Sequence, residues 1–238
     1  MPGLAPLIAL IGADGSGKST LLDDVVAHVA RTRPAQSGYL GLGSGPLGKK
    51  IGALPLIGPG LERFLEDKAR RARDPNGRMP GLATALVLYR YSRKRKARFD
   101  AMMALRRQGI TVITDRYPQA EVAGFYDGPG LSAARTDSEI IARLAARERR
   151  LYDHMAAERP SLVLRLNIDL ATAMARKPDH ERTLLEQKIA ATPRLTFNGA
   201  PICDIDATQP YDRVLADVCA AIDTVLGASP ASADAQTR

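Results

Sequence analysis

Two kinds of apolar stretch alternate along the chain. Short runs at 5–11, 38–42, 110–114, 162–168 and 201–205 are apolar with little polar alternation, the pattern of strands buried on both faces of a sheet. Between them lie longer segments with apolar positions at helical spacing. Residues 19–31 set Leu21, Leu22, Val25, Val26 and Val29 on one side, and Pro34 closes the segment. Similar spacing predicts helices over 61–73, 82–108, 137–159, 170–177, 183–190 and 211–226. Five strands joined by helical crossovers imply an α/β fold, a five-stranded parallel sheet flanked by helices. No internal repeat breaks the order, so 1–227 reads as one domain. Residues 228–238, rich in Ala, Ser, Asp and Gln without periodicity, read as a disordered tail.

Composition agrees with that reading. The 238 residues are 45% apolar and 25% charged, the balance of a soluble globular domain with enough chain to bury a core without covalent staples. The two cysteines, Cys203 and Cys219, exclude a disulfide framework and point to a reducing compartment, with both thiols expected to be buried and inert. No run approaches the roughly 18–20 apolar residues of a membrane span. The apolar start lacks the basic flank of a signal peptide, so a cytoplasmic protein is expected.

Charge narrows the partners less. A formal +8 arises from 34 Lys and Arg against 26 Asp and Glu, which favours anions without naming one. Nucleic acid, an acidic membrane surface and small phosphorylated metabolites all remain open. Arginine supplies 26 of the positive charges, which suits bidentate phosphate binding; a GC-biased gene would give the same excess.

The most specific chemistry lies just after the first strand. Gly12-Ala13-Asp14-Gly15-Ser16-Gly17-Lys18-Ser19 fits G-x-x-x-x-G-K-[ST] between a predicted strand and a predicted helix. Glycines let backbone N–H groups turn onto an anion, the helix start adds its positive end, and the lysine reaches terminal phosphates. The reading is a P-loop NTPase fold that binds ATP and Mg²⁺ through residues 12–20, from Gly12 to Thr20, with Ser19 on the metal. A glycine-rich turn that merely matches the pattern is the bland alternative. The loop alone does not separate a kinase from a GTPase, a motor ATPase or a sulfotransferase-like relative.

A second acid is expected at the end of a neighbouring strand, to position Mg²⁺ or its water. Asp115 ends the run Thr111-Val112-Ile113-Thr114 and is followed by Arg116, Tyr117 and Pro118. No Asn-Lys-x-Asp occurs for guanine recognition, and the chain is short for a motor ATPase core. A small-molecule kinase remains.

Together these residues resemble the thymidylate kinase family. The loop is similar to its E-G-x-D-G-x-G-K-[ST]-T, with Asp14 at the acidic position and Ser19-Thr20 closing it. Asp115-Arg116-Tyr117 resembles D-R-[YFH], Gly45-Pro46-Leu47-Gly48-Lys49-Lys50-Ile51 resembles G-x-P-L-G-x-K-I, and Ile205-Asp206-Ala207-Thr208-Gln209-Pro210 resembles I-D-A-x-Q-P. The matches keep family order and span nearly the whole chain.

The resemblance implies ATP- and Mg²⁺-dependent phosphoryl transfer to the phosphate of a deoxynucleoside monophosphate, dTMP leading, in a homodimer. It places Lys18 and the loop amides on the donor, Arg116 on the acceptor phosphate, Asp14 near metal and acceptor sugar, Asp115 on the metal's water shell, and Tyr117 beside the acceptor. Tyr89 and Arg93, four apart on one helical face, resemble the family's base-stacking aromatic and acceptor-binding arginine. Their alternative is an exposed basic helix with Arg90, Lys94, Arg95, Lys96 and Arg98, most of these charges forming a solvated face. A lid is implied over 176–190, with Arg176 and Arg182 neutralising transition-state charge. His28, His154 and His180 lack metal-ligand spacing.

The pattern also departs from the family. Ile11 replaces the glutamate before the loop glycine, Tyr39-Leu40-Gly41-Leu42-Gly43-Ser44-Gly45 lacks the arginine-containing R-E-P-type segment, and the stretch from Pro118 to Pro129 differs. Donor-side matches exceed acceptor-side ones. A kinase of this fold acting on a sugar or lipid-pathway intermediate, and a nucleotide-binding regulatory protein with little turnover, therefore stay open. Direct nucleic-acid binding rests only on the basic helix and is not the expected partnership.

Overall fold

A computed structural model describes residues 3–41, 81–123, 127–131 and 136–227. The expected helix 61–73, the segment from Gly45 to Ile51 and the tail 228–238 lie outside the described residues. In chain order the elements are β1 (Leu7–Gly12), α1 (Lys18–Ala30), β2 (Ala35–Tyr39), α2 (Leu82–Arg107), β3 (Thr111–Asp115), α3 (Glu139–Ala157), β4 (Leu162–Asn167), α4 (Leu170–Arg176), α5 (Arg182–Ala191), a 3₁₀ turn (Thr192–Arg194), β5 (Ile202–Asp206) and α6 (Tyr211–Leu226).

The strands form one parallel sheet in the order β2-β3-β1-β4-β5. β1 is central, hydrogen-bonded to β3 with Leu10 opposite Asp115 and to β4 with Gly12 opposite Leu166. Every residue of β1 is buried, which explains its unbroken apolar run. Alternation sends Leu7, Ala9 and Ile11 to one face, among Phe99, Met102, Tyr117, Tyr152 and Met155. Ile8 and Leu10 go to the other, among Leu21, Val25, Val29, Val214, Val218 and Ile222. α1 and α6 thus cover one face, and α2 and α3 the other. Each fully buried Leu or Val contributes about 1.5–3 kcal/mol, enough to make the sheet a rigid platform.

Two expectations need correction. The second strand lies at Ala35–Tyr39, not 38–42. Among the described residues it pairs only with β3, from Ala35 opposite Thr111 to Tyr39 opposite Asp115, and as an edge strand it is half exposed, so its sequence carries no apolar run. Cys203 and Cys219 are free thiols that are half-buried rather than fully enclosed; partial burial pushes both pKa values up. Among the described residues, no helix is long and apolar enough to cross a membrane.

Because all the strands run the same way, their C-terminal ends share one edge. The turn after β1, Asp115, Asn167 and Asp206 all lie there. This is the edge at which open α/β sheets bind ligands.

Candidate functional site

The loop between β1 and α1 is shaped by its glycines. Gly12 has φ 150°, and a Cβ there would sit 2.6 Å from both Leu166 O and Ser16 Oγ. Gly17 is left-handed at φ 89° and precedes α1, whose N-terminus has no side-chain cap. The first amides of α1 are therefore left for a ligand or water. Lys18 is buried, and its Nζ donates to Gly12 O (2.8 Å), Ala13 O (2.9 Å) and Ser16 Oγ (3.3 Å). Burial, followed by nearby Arg116, pulls its pKa down to about 8 against the attraction of Asp14, Asp115 and Asp127.

Ser19 Oγ donates to Asp115 Oδ2 at 2.6 Å. The other carboxylate oxygen of Asp115 is buried with no hydrogen-bond partner. A hydroxyl and a carboxylate with a spare buried oxygen suit a hard divalent cation that keeps several of its waters. The residues fit Mg²⁺.

Arg116 follows β3 with φ 75°, a conformation that costs energy for a non-glycine residue and redirects its side chain. Its Nη2 lies 3.9 Å from Asp14 Oδ1 and its Nη1 3.9 Å from Asp127 Oδ1. Its Nε is buried and unpartnered. Asp127 first, then Asp115 and Asp14, raise its pKa against burial. On the far side of Asp14, Lys188 Nζ donates to Oδ2. Burial alone would raise the Asp14 pKa; Lys188, with help from Lys18 and Arg116, outweighs it and holds the carboxyl at about 2.

Asp127 is held from behind by Arg95, which is fully buried. Arg95 Nη2 donates to Asp127 Oδ1, Nη1 to Asp127 O (2.8 Å) and Tyr152 Oη (3.0 Å), and Nε to Leu40 O (2.7 Å). On the neighbouring helix, Glu148 accepts from Ser92 Oγ and from Leu131 N, each at 2.6 Å. Two helices thereby grip the 127–131 loop. Charges alternate through the site as Arg95, Asp127, Arg116, Asp14 and Lys188.

The expected site residues fare unevenly. The loop residues, Asp115, Arg116 and Arg176 converge, Arg176 by donating from Nη1 to Gly15 O (3.2 Å) and Ala207 O (2.9 Å). Ala207 belongs to the late motif, a turn tied by Asp206 to Thr208 and Gln209. Arg182 opens α5 as an exposed side chain. Tyr117 is a correction: its ring is buried beside Phe99 and Phe197, and its hydroxyl donates to Glu158 O at 2.6 Å. It anchors the turn that aims Arg116 and is not placed to contact an acceptor. Tyr89 is half-buried in the patch formed by Ala85, Leu131, Ile141 and Leu144, and Arg93 is exposed. Within the basic run of α2 the buried arginine is Arg95, so the solvated-face reading fails at that position; Arg106, near the end of the helix, is buried as well. Asp127, Arg95 and Lys188 were missed. For Lys188 the signal was its place within the expected lid; for the other two none stands out.

Comparison with known proteins supplies the context. No known family profile matches the chain. It is 45% identical over 221 residues to the "Uncharacterized ATP-binding protein YghS" of Escherichia coli, covering 92% of this chain and 93% of that protein. It is 42% identical over 226 residues to the "Uncharacterized ATP-binding protein YghR" of the same organism, covering 94% and 88%. At 28% over 228 residues it matches the "Probable thymidylate kinase" of Pyrobaculum calidifontis, covering 92% and 96%. These likenesses, with the parallel sheet and its loop, agree with a P-loop NTPase fold and a kinase-like relationship. The chain belongs to the family of the ATP-binding proteins YghR and YghS.

Proposed function

We propose that this protein binds ATP with Mg²⁺ and transfers the γ-phosphoryl group to the phosphate of a nucleoside monophosphate, dTMP being the leading acceptor. The observation that carries the reading is the meeting of Lys18, the Ser19–Asp115 pair and Arg116 at one sheet edge. An acceptor phosphate oxygen would attack the γ-phosphorus as its bond to the ADP oxygen breaks. Such a transfer needs positioning and charge neutralisation more than a covalent catalyst.

Each residue has a part in this. The loop amides and Lys18 hold the donor phosphates, with Lys18 leaving its carbonyl partners for the terminal ones. Ser19 and Asp115 hold Mg²⁺, which supplies charge neutralisation at the phosphate oxygens when bound. Arg116, aimed by Asp14 and Asp127, receives the acceptor phosphate. Residues 176–190 serve as the lid, Arg176 already touching the loop and Arg182 arriving on closure. A homodimer belongs to the same reading and rests on the family resemblance alone.

A second reading is favoured by the acceptor side. Asp127, bound by Arg95, occupies the stretch after Tyr117 that departs from the thymidylate kinase pattern, and Tyr117 is withdrawn into the core. A site that has lost one set of hydrogen-bonding groups loses the matching acceptor, so a sugar or a lipid-pathway intermediate is the alternative. ADP release, measured with ATP, Mg²⁺ and a panel of nucleoside monophosphates, sugars and lipid precursors, tests both, with Lys18→Ala as control. Turnover confined to dTMP or dUMP supports the first reading, and turnover confined to the others supports the second. Tight ATP binding without turnover on any acceptor would overturn both in favour of a nucleotide-binding regulator.

A further inference from the structure

We propose that Lys188 is a positioning residue for ATP that acts through Asp14, as the counter-ion that screens this carboxylate from the incoming phosphates. The proposal rests on the ATP-binding reading above. Asp14 is the third residue of the phosphate loop, and its side chain is only 19% exposed. A carboxylate at that place carries the same charge as the ligand the loop is built to hold.

Among the described residues, three cations act on it: Lys188, Lys18 and Arg116. Lys18 is engaged with the carbonyls of Gly12 and Ala13, and Arg116 stands 3.9 Å from Oδ1 while also facing Asp127. Lys188 alone among them makes a direct hydrogen bond to the carboxylate, on Oδ2. Its helix packs against the same loop in the ligand-free arrangement: Leu185 is buried with Ala13, Ile168 and Ala173, and Ile189 packs onto that cluster. Lys188 also lies 174 residues from Asp14, so the pair is a tertiary contact rather than a chance neighbour along a helix. At 23% exposure its side chain has lost much of the freedom of a surface lysine.

This role differs from direct phosphate contact, and the two give opposite results in a double-mutant cycle. In the first, removing Lys188 harms ATP binding because Asp14 is left bare, and removing the Asp14 charge repairs it. In the second, the loss persists whatever stands at 14. The experiment is equilibrium binding of ATP to the full chain, by calorimetry, in EDTA and in Mg²⁺. It uses wild type, Lys188→Met, Lys188→Gln, Asp14→Asn and the two double variants, with a thermal melt of each as the folding control.

The expected outcome in EDTA is a loss of about tenfold for either Lys188 variant, a several-fold gain for Asp14→Asn, and double variants within about threefold of wild type. Mg²⁺ should shrink all three differences by neutralising the phosphates. Double variants as weak as the Lys188 singles would overturn the proposal, as would Lys188 singles that bind like wild type. If Lys188→Met is unfolded in the melt, Lys188→Gln, which keeps a polar end, carries the same comparison. A wild-type protein without ATP affinity would overturn the ATP reading itself, and is distinguished by failing before any variant is compared.

Discussion

Ser19 and Asp115, 96 residues apart in sequence, are joined by a 2.6 Å hydrogen bond from the serine hydroxyl to one carboxylate oxygen. The bond ties the first turn of α1 to the end of β3 and leaves the second oxygen of Asp115 buried and unpartnered. Asp115→Asn keeps the size of the side chain and removes its charge. We expect ATP turnover to fall by about a hundredfold and half-saturation to need more Mg²⁺. Rate against Mg²⁺ concentration checks this; an unchanged Mg²⁺ dependence would remove Asp115 from the metal site.

Lys18 holds a charge inside the fold before any ligand arrives. Its pKa of about 8 lies below the ordinary 10.5, so between those values the unfolded chain binds more protons than the folded one. Stability of the ligand-free protein should therefore rise with pH through this window, and the penalty should be fully felt below pH 8. Lys18→Met is expected to melt a few degrees above wild type at pH 7, at roughly 2–4 °C per kcal/mol for a chain of this size, while losing ATP affinity. Thermal melts at pH 7 and pH 10 give the comparison, with the difference shrinking at the higher pH.

Asp14 works in the opposite sense. Its folded pKa of about 2 lies below the ordinary 3.8, so its contribution is complete above pH 4 and fades as the solution is acidified toward 2. Asp14→Asn should flatten the acid limb of the stability curve over that interval. Denaturant titrations at pH 2.5 and pH 6 measure the effect, and equal pH dependence in both proteins would contradict it.

Gly12 leaves no room for a side chain, with Leu166 O and Ser16 Oγ each 2.6 Å from where a Cβ would stand. Gly12→Ala must displace backbone and strain φ together, at a cost of about 2–4 kcal/mol. We expect a lowered denaturant midpoint and loss of ATP binding. Gly109, also at positive φ but with nothing within 4 Å of its Cβ, is the control: Gly109→Ala should cost only about 1 kcal/mol and leave ATP binding intact.

Arg95 is buried with four side-chain hydrogen bonds, which reach Leu40, Tyr152 and Asp127. Arg95→Leu would leave the Asp127 carboxylate and three other polar groups short of partners. About 3–5 kcal/mol should be lost in urea unfolding, and Arg116 should lose its alignment. A cost near zero would mean that the 127–131 loop is held by Glu148 alone.

The phosphate-loop side was legible because its chemistry is local: the eight residues from Gly12 to Ser19 and the strand and helix around them are contiguous in sequence, and Asp115 ends a strand whose apolar run is plain. The acceptor half was not. Arg95 lies in a run of five basic residues between 93 and 98, and nothing in that run marks the one that meets Asp127, because the partner arrives from a loop. Tyr117 stood beside Arg116 and was given a share of its role, yet positive φ at Arg116 turns the two side chains to different destinations. β2 was misplaced for a related reason, since an edge strand is not required to be apolar.

The backbone pairing of β1 with β3 and β4 has a consequence for how this family can diversify. Asp115 ends β3, and Lys18 and Ser19 open the helix that the loop after β1 leads into; the spacing of those strands is fixed by buried pairing, where a slip of one residue would move a group by about 3.3 Å and turn it to the other face. Asp127 hangs instead from a loop whose hold on the core passes through side chains. On the proposed phosphoryl-transfer reading, substitutions there would retune one half of the reaction while the other keeps its dimensions, so that a single donor chassis would serve descendants with different acceptors.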